Sequence, residues 1–520
     1  MADIPIADTS RVASPLELMT DPTWDKLMAV YQRAATLDSC LCLLKCDQTT
    51  VMPEAGSDHR SQQIALLAEL QHECLTDPRI PEWLETLSQI SLTQDPEMAA
   101  TLRVVRQEYQ RAIQVPADLV GAIEQAAVIG EAAWKAARKA RDFTIVSPHI
   151  GTMLDLKRQE ADARRDGQPH PISRYDALLD LYEPGLTTDQ YLAVGDVIKT
   201  ALAPLCHALP VADHDIAPCL HGRQFSLDGM QKVARRLSCA IGLDPAWSRV
   251  DTGETAVSGP AGPKDIRVSI RHGAGLVGFV AFILHEGGHG KCHYGIAIPR
   301  PFGHPLNETS IGIHETQARF WESVVGKLPE FWEAYYPILQ ACFPLALAGV
   351  SAADFTGAMQ YAVQSPTRAR GDDLATTLSP LLRSNLEIRL LAGDLKPSEI
   401  PAAWKEESLA YLGTCPDDIL RGPLTDPHWP KGLYAYYATY VVGSLRAGKQ
   451  FATIERQHPG VREEIRRGDL STLDEWQEVN IYRYGRSLPP PELMIRATGA
   501  SLDPEPWIAL MRTRYSRAAA

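Results

Sequence analysis

The stretch Gly275-Leu276-Val277-Gly278-Phe279-Val280-Ala281-Phe282-Ile283-Leu284-His285-Glu286-Gly287-Gly288-His289 decides how this chain is read. An uncharged apolar run of this length, leading straight into two histidines, predicts a buried helix. His285 and His289 stand four positions apart and share one helix face, so both imidazoles can reach a single divalent ion. Glu286 beside them can take a proton from a water at that ion. The pattern is HExxH, and its chemistry is that of a zinc hydrolase. Five letters recur by chance in unrelated chains, so the setting carries weight: a metal site needs rigid ligands and dry walls, which the end of an apolar helix supplies. Gly287 and Gly288 oppose a helix, at about 1 kcal/mol each relative to alanine. Close approach of a substrate or of another helix would offset that cost.

A third ligand is sought downstream. Asn307 or Thr309 can cap a helix whose apolar stripe is Ile313, Phe320, Trp321, Val324, Val325 and Leu328. Glu315 falls in its first turn, where it could complete a set of two histidines and one glutamate with a position left open for water. The competing account is that Glu315 only answers the helix dipole.

The 520 residues are enough for a large core and a deep internal groove. A hydrophobic content of 45% and a charged content of 22% are ordinary for a globular protein. The net charge of -13 argues against nucleic acid or an anionic membrane surface as partner. Ten cysteines include no CxxC pair and suggest buried free thiols rather than a disulfide framework. Met1 to Ser14 has acids and prolines where a signal peptide needs a basic end and an apolar run, so the expected location is cytoplasmic. The longest apolar stretch, Gly273 to Leu284, is well short of the roughly 20 residues of a membrane span.

Around the metal helix the chain reads as mainly α. Apolar residues recur at helical spacing over Trp24–Cys46, Ser57–Thr76, Pro81–Ile90, Glu97–Ile113, Ala117–Arg141, His149–Arg165, Thr188–Leu209 and Leu227–Ile241. After the metal helix the same pattern covers Ser351–Ala362, Leu374–Leu391, Ser398–Leu412, Tyr434–His458, Leu473–Tyr484 and Pro490–Thr498. His170–Tyr175 and Val211–Gln224 are the soft spots. No repeat or linker divides the chain, so residues 1–520 are expected to form one catalytic domain, two helical lobes flanking a groove. The texture changes only at Ser248–His272, where β-branched residues predict two short strands joined by a loop at Ser258–Pro263. A small antiparallel sheet there would stand beside the metal helix and offer an extended peptide an edge to pair with. Two later interruptions carry polar chemistry: Arg368–Asp373, and the run Asp426, Pro427, His428, Trp429 followed by Tyr434, Tyr436, Tyr437 and Tyr440. Arginine, histidine and tyrosine are the groups a peptidase uses to hold a carboxylate and an oxyanion.

Taken in order, these blocks resemble the carboxypeptidase Taq family of zinc metallocarboxypeptidases, from about Trp24 to Tyr515. The family's HExxH is similar to His285–His289, and its HES block to His314, Glu315, Thr316. DxRxT resembles Asp265, Ile266, Arg267, Val268, Ser269; IRxxAD resembles Thr367 to Asp372; GxxQDxHW resembles Gly422 to Trp429. Cys46 to Pro53 resembles the WDQxTxMP stretch. The HPF block is missing: Thr255, Ala256 and Val257 stand in its place, which marks a divergent member with altered substrate handling. The resemblance implies a mostly helical fold with a deep groove, a zinc or cobalt ion, a homodimer, and release of single residues from peptides with a free C-terminus.

The expected roles follow. His285, His289 and Glu315 hold the metal, and Glu286 is the general base. His428 and Tyr436 donate to the oxyanion, and Arg368 binds the substrate's terminal carboxylate. Arg267 either shares that task or pairs with Asp265. Two rival readings stay open: a zinc endopeptidase or oligopeptidase on a related helical scaffold, and a catalytically silent peptide-binding relative.

Overall fold

Several helix boundaries in the computed structural model fall where the chain supplies side-chain caps, as at Asp95, Ser173, Thr187, Ser226, Ser310 and Ser351. The structure describes residues 22–91, 95–166, 170–211, 216–253, 257–271, 275–365 and 372–516. Arg368, most of the IRxxAD-like block, and Thr255 and Ala256 lie outside these residues. Among the described residues there are twenty α-helices and one three-stranded sheet. No single helix among them is long and apolar enough to cross a membrane.

The periodic segments form helices with ends shifted by a few residues. Trp24–Cys46 extends to Pro22–Thr50, and Thr188–Leu209 becomes Thr188–His207, opened by a capping box between Thr187 and Gln190. Four helices escape the apolar pattern, the short Val461–Arg466 among them. Arg174–Leu179 sits in an expected soft spot, started by the capping box of Ser173 and Asp176. Pro329–Cys342 and Glu505–Tyr515 both carry proline in the first turn, where a missing N–H costs nothing.

The sheet corrects the expectation of two antiparallel strands. It has β1 (Ser248–Gly253), β2 (Val257–Gly262) and β3 (Asp265–Arg271), in the order β1-β3-β2. β2 pairs antiparallel with β3, Ser258 opposite Val268, and β1 pairs parallel with it, Ser248 opposite Ile266. The sheet is therefore mixed. The segment read as a loop forms β2 because an edge strand tolerates glycine and proline, and the register slips between Pro260 and Gly262. The tight β2–β3 hairpin occupies one side of β3, so β1 must take the other side.

A large core runs from Ala137 to Tyr515 and includes Phe279, Ile283, Leu284, Trp321, Trp332, Trp429 and Trp507. The N-terminal helices have a separate core of Trp24, Leu27, Tyr31, Ile80, Trp83, Leu84 and Leu87, with Met98, Leu102 and Val105. They meet the rest at close backbone approaches and ion pairs. A Cβ on Gly303 would stand 2.6 Å from the Gln32 Cα, and Arg300 Nε lies 3.0 Å from Glu97 Oε1.

Candidate active site

The metal helix, Gly275–Ala297, is buried along most of its length. Its glycines explain how it can be so tightly enclosed. A Cβ on Gly287 would come within 2.6 Å of the Ile241 side chain, and one on Gly290 within 2.9 Å of Leu243 and 3.3 Å of Val268 in β3. A Cβ on Gly288 would meet the Gln317 carbonyl oxygen at 2.5 Å. The cost of Gly288 is thus offset by a neighbouring helix, Ile311–Arg319, seated directly on the metal helix, and that of Gly287 by the close packing of Ile241 and Leu243.

That second helix is capped by Ser310, whose hydroxyl accepts from the Ile313 N–H at 3.0 Å. Asn307 and Thr309 are not its caps, and Glu315 therefore stands in the second turn, where the helix dipole gives it little reason to be. Gly443, on the helix Ala438–Gln457, presses against it from behind: a Cβ there would lie 2.9 Å from Glu315 Cγ.

Three donors converge. His285 Nε2 lies 3.9 Å from Glu315 Oε1, and His289 Nε2 lies 3.7 Å from Glu315 Oε2. One ligand atom from each residue falls within 4.8 Å of the others. Donors bound to one zinc-like ion in a tetrahedral set stand roughly 3.4 Å apart, so the spacing suits a cation and exceeds a hydrogen bond. The charges agree. Burial would lower the pKa of His285, yet Glu315, Glu322 and Glu286 around it raise it to about 9. A surplus of carboxylates facing two imidazoles is a cradle for a positive ion. Burial holds His289 well below the usual imidazole value, in the neutral form that ligates. The donor set fits a divalent metal.

Glu286 is buried beside His285. Burial pushes its carboxyl up to about 7, against the opposing pull of His285 and of a hydrogen bond from Ser258 on β2. The segment expected to be a loop thus supplies a contact to the candidate base.

The sequence reading passed over Glu322 and Arg319. His285 Nδ1 lies 2.9 Å from Glu322 Oε2, and that oxygen accepts from Arg319 Nη1 at 2.8 Å. This fixes the proton on Nδ1 and turns the Nε2 lone pair toward the site. Both residues lie on the helical run that carries the apolar stripe from Ile313 to Leu328, Glu322 within a π turn at Phe320–Val324. Opposite charges three residues apart among residues destined for burial were the available signal.

His428 and Tyr436 form a second cluster. Their ring centroids are 5.9 Å apart, and Tyr182 meets Tyr436 edge-on at 5.3 Å. His428 Nδ1 lies 2.7 Å from Asp426 Oδ1, while Arg383 donates to both Asp426 oxygens at 2.6 and 3.0 Å. Tyr437 donates to Asp426 at 2.6 Å. The second cluster joins the first through the helix Ala438–Gln457: Tyr440, which meets Tyr436 edge-on at 5.6 Å, precedes Gly443, the residue against Glu315, by about one helical turn, and Tyr436 lies two residues before the helix begins. Arg267 pairs with Asp265 through Nε at 2.5 Å and Nη2 at 2.7 Å. It is half-exposed.

A buried helix bearing two histidines and a base, with a glutamate delivered by a second helix, defines a metal-dependent hydrolase. Residues 26–515 match the family described as carboxypeptidase Taq (M32) metallopeptidase. The chain is 31% identical over 509 residues to thermostable carboxypeptidase 1 of Thermus thermophilus, which covers 95% of this chain and 99% of that protein. It is similar to the crystal structure of the M32 carboxypeptidase from Deinococcus radiodurans, with TM-score 0.88, 29% identity, and 96% and 100% of the two chains covered. The carboxypeptidase of Pyrococcus furiosus gives TM-score 0.89 at 25% identity, with 96% and 100% covered. The chain belongs to the carboxypeptidase Taq (M32) family and is a metallocarboxypeptidase.

Proposed function

We propose that His285, His289 and Glu315 hold one divalent ion, zinc or cobalt, and that Glu286 is the general base in removal of C-terminal residues from peptides. The observation that carries this is the convergence of the three ligand atoms within 4.8 Å, with Glu286 one residue from His285. When bound, the ion supplies Lewis acidity to the scissile carbonyl and makes water easier to deprotonate. Glu286 takes the proton of the attacking water and later delivers it to the leaving amine. His428 and Tyr436 donate to the oxyanion. Arg368 binds the terminal carboxylate of the substrate. Arg267 can share that task only by giving up part of its pairing with Asp265.

The same reading includes a homodimer, a single catalytic domain of two lobes about a groove, and a cytoplasmic location. The two separate apolar cores support the lobes, and ten free cysteines suit a reducing compartment. Thr255, Ala256 and Val257, standing where relatives carry HPF, fit an altered residue preference.

The test compares a blocked peptide bearing a free C-terminus with its C-terminal amide. Loss of cleavage on amidation is expected; cleavage of both at similar rates would instead identify an endopeptidase. Glu286→Gln should reduce release of the C-terminal amino acid by a factor of about 100 or more. Equal release from both proteins would remove Glu286 from the reaction and, if release is nil in each, leave a peptide binder.

A further inference from the structure

The buried helix Asp373–Ala392 carries a glutamate that the reaction as described does not use. Glu387 is 0% exposed and stands one turn beyond Arg383. Arg383 is committed to Asp426 by two hydrogen bonds, so that pair balances its own charge. Glu387 is left with two neutral donors. Its Oε1 accepts from the Trp429 indole N–H at 2.8 Å, and its Oε2 accepts from the Ala435 backbone N–H at 2.9 Å. Burying a carboxylate against neutral donors is costly, and burial accordingly pushes Glu387 up to about 7, with Trp429, Arg383 and Ala435 opposing and Asp426 adding to the rise.

What the arrangement achieves is visible in the backbone. Ala435 has φ of 63°, a left-handed conformation that an alanine adopts only under constraint. The helix expected from Tyr434 starts instead at Ala438. The constraint falls between Trp429, which follows His428, and Tyr436, which follows Ala435. One carboxylate therefore ties together the two ends of the segment that separates the two candidate oxyanion donors.

We propose that Glu387 is a positioning residue: by bridging Trp429 and Ala435 it holds the left-handed turn that aims the Tyr436 hydroxyl, and with it His428, at the reacting carbonyl. The proposal rests on the donor roles assigned above, and it adds a residue that touches neither substrate nor metal. A neutral glutamine at 387 has the same shape but only one acceptor oxygen, so it must abandon Trp429 or Ala435.

The experiment uses metal-loaded Glu387→Gln, Tyr436→Phe and the double variant, assayed on a blocked dipeptide well below their melting temperatures, with metal content measured in each. Tyr436→Phe is expected to lower kcat about 100-fold. Glu387→Gln is expected to lower kcat about 10-fold or more, with KM and metal content within twofold of the parent. The double variant should be close to Tyr436→Phe alone, because the two act as one unit. A drop in melting temperature with unchanged kcat would reduce Glu387 to a structural residue and overturn the proposal, as would losses that multiply in the double variant. Full kcat in Tyr436→Phe would sink the donor role itself, and a loss confined to Glu387→Gln would then show that Glu387 does not act through Tyr436. Should Glu387→Gln fold poorly, Trp429→Phe removes one of the two bonds, at the cost of a cavity beside Trp404 and Arg383 that the melting temperature reads separately from kcat. It is expected to lower kcat in the same direction without raising KM, and unchanged kcat there would count against the bridge.

Discussion

Gly288 lies so close to Gln317 that a Cβ on the glycine would come within 2.5 Å of the Gln317 carbonyl oxygen and 2.9 Å of the Ala318 Cα. The obstruction is backbone and cannot rotate away. Gln317 is two residues beyond Glu315, so this contact sets the distance between the helix of the imidazoles and the helix of the carboxylate. Gly288→Ala should push the two helices apart, destabilising the protein by about 1–3 kcal/mol. It should also weaken metal retention. Urea unfolding and metal content after dialysis against a chelator measure the two effects, and full retention would show that the helices can separate without moving Glu315 from the histidines.

Glu322 predicts a separate effect on the same site. It accepts from Arg319 while lying 2.9 Å from His285 Nδ1, and it has no place in the donor set. Glu322→Gln keeps a polar group of the same size but loses the charge that orients and polarises the ring. Changes of this kind typically cost 10–100-fold in metal affinity. Competition against a chromophoric chelator should give a dissociation constant raised by that factor, with the fold intact by circular dichroism.

Acid sensitivity is expected from His304, in the loop after the metal helix. Burial, aided by Arg300, brings its pKa down to about 4, and its Nδ1 accepts from the Leu306 N–H at 3.3 Å. In the unfolded chain the ring takes a proton near 6.5; in the folded protein it stays neutral until about 4. The unfolded state thus binds more protons between these values, and stability falls as pH drops through the window, by at most about 1.4 kcal/mol per pH unit. His304→Asn keeps an acceptor for Leu306 and cannot be protonated. With metal stripped from both proteins, the urea midpoint of the parent should fall more than that of the variant between pH 7 and pH 5; parallel declines would be evidence against this assignment.

The parts of the site that could be read from sequence are those set by local spacing. His285, Glu286 and His289 share one helix, and Glu315 required only one further helix at a plausible distance. The caps were harder, because Asn307, Thr309 and Ser310 are all competent, and only the turn in the backbone selects Ser310. Ser258–Pro263 reads as a loop because glycine and proline suppress strand propensity, yet at a sheet edge pairing with β3 makes Val257–Gly262 a strand. Least legible were the buried charges. Arg383 and Glu387 lie 42 to 48 residues from their partners Asp426, Trp429 and Ala435, and a charged residue on a helix looks the same whether it faces solvent or a buried partner. The left-handed Ala435 left no sequence mark, since alanine is the residue least expected to break a helix.

The buried network around Asp373 extends the metal site toward the C-terminus and carries the largest expected loss of stability. Arg514 Nη1 lies 2.8 Å from Asp373, Arg319 Nη2 3.3 Å and Lys327 Nζ 3.5 Å, and all four side chains are almost fully buried. Burial would raise the Asp373 carboxyl, but Lys327, Arg514 and Arg319 hold it below the ordinary value, so the charged form prevails at neutral pH. Asp373→Asn preserves the shape and takes the shared carboxylate from three buried cations, of which Arg319 keeps Glu322, which should cost about 3–5 kcal/mol. Arg514→Met removes one cation and leaves Asp373 two partners, so its cost should be smaller. Arg319 also holds Glu322, and Glu322 holds His285; freed from Asp373, Arg319 can only pull harder on Glu322. Asp373→Asn should therefore lose stability to urea while keeping its metal affinity within a few fold, the opposite of Glu322→Gln. An Asp373→Asn protein as stable as the parent would mean that water or a rearranged side chain compensates the three cations.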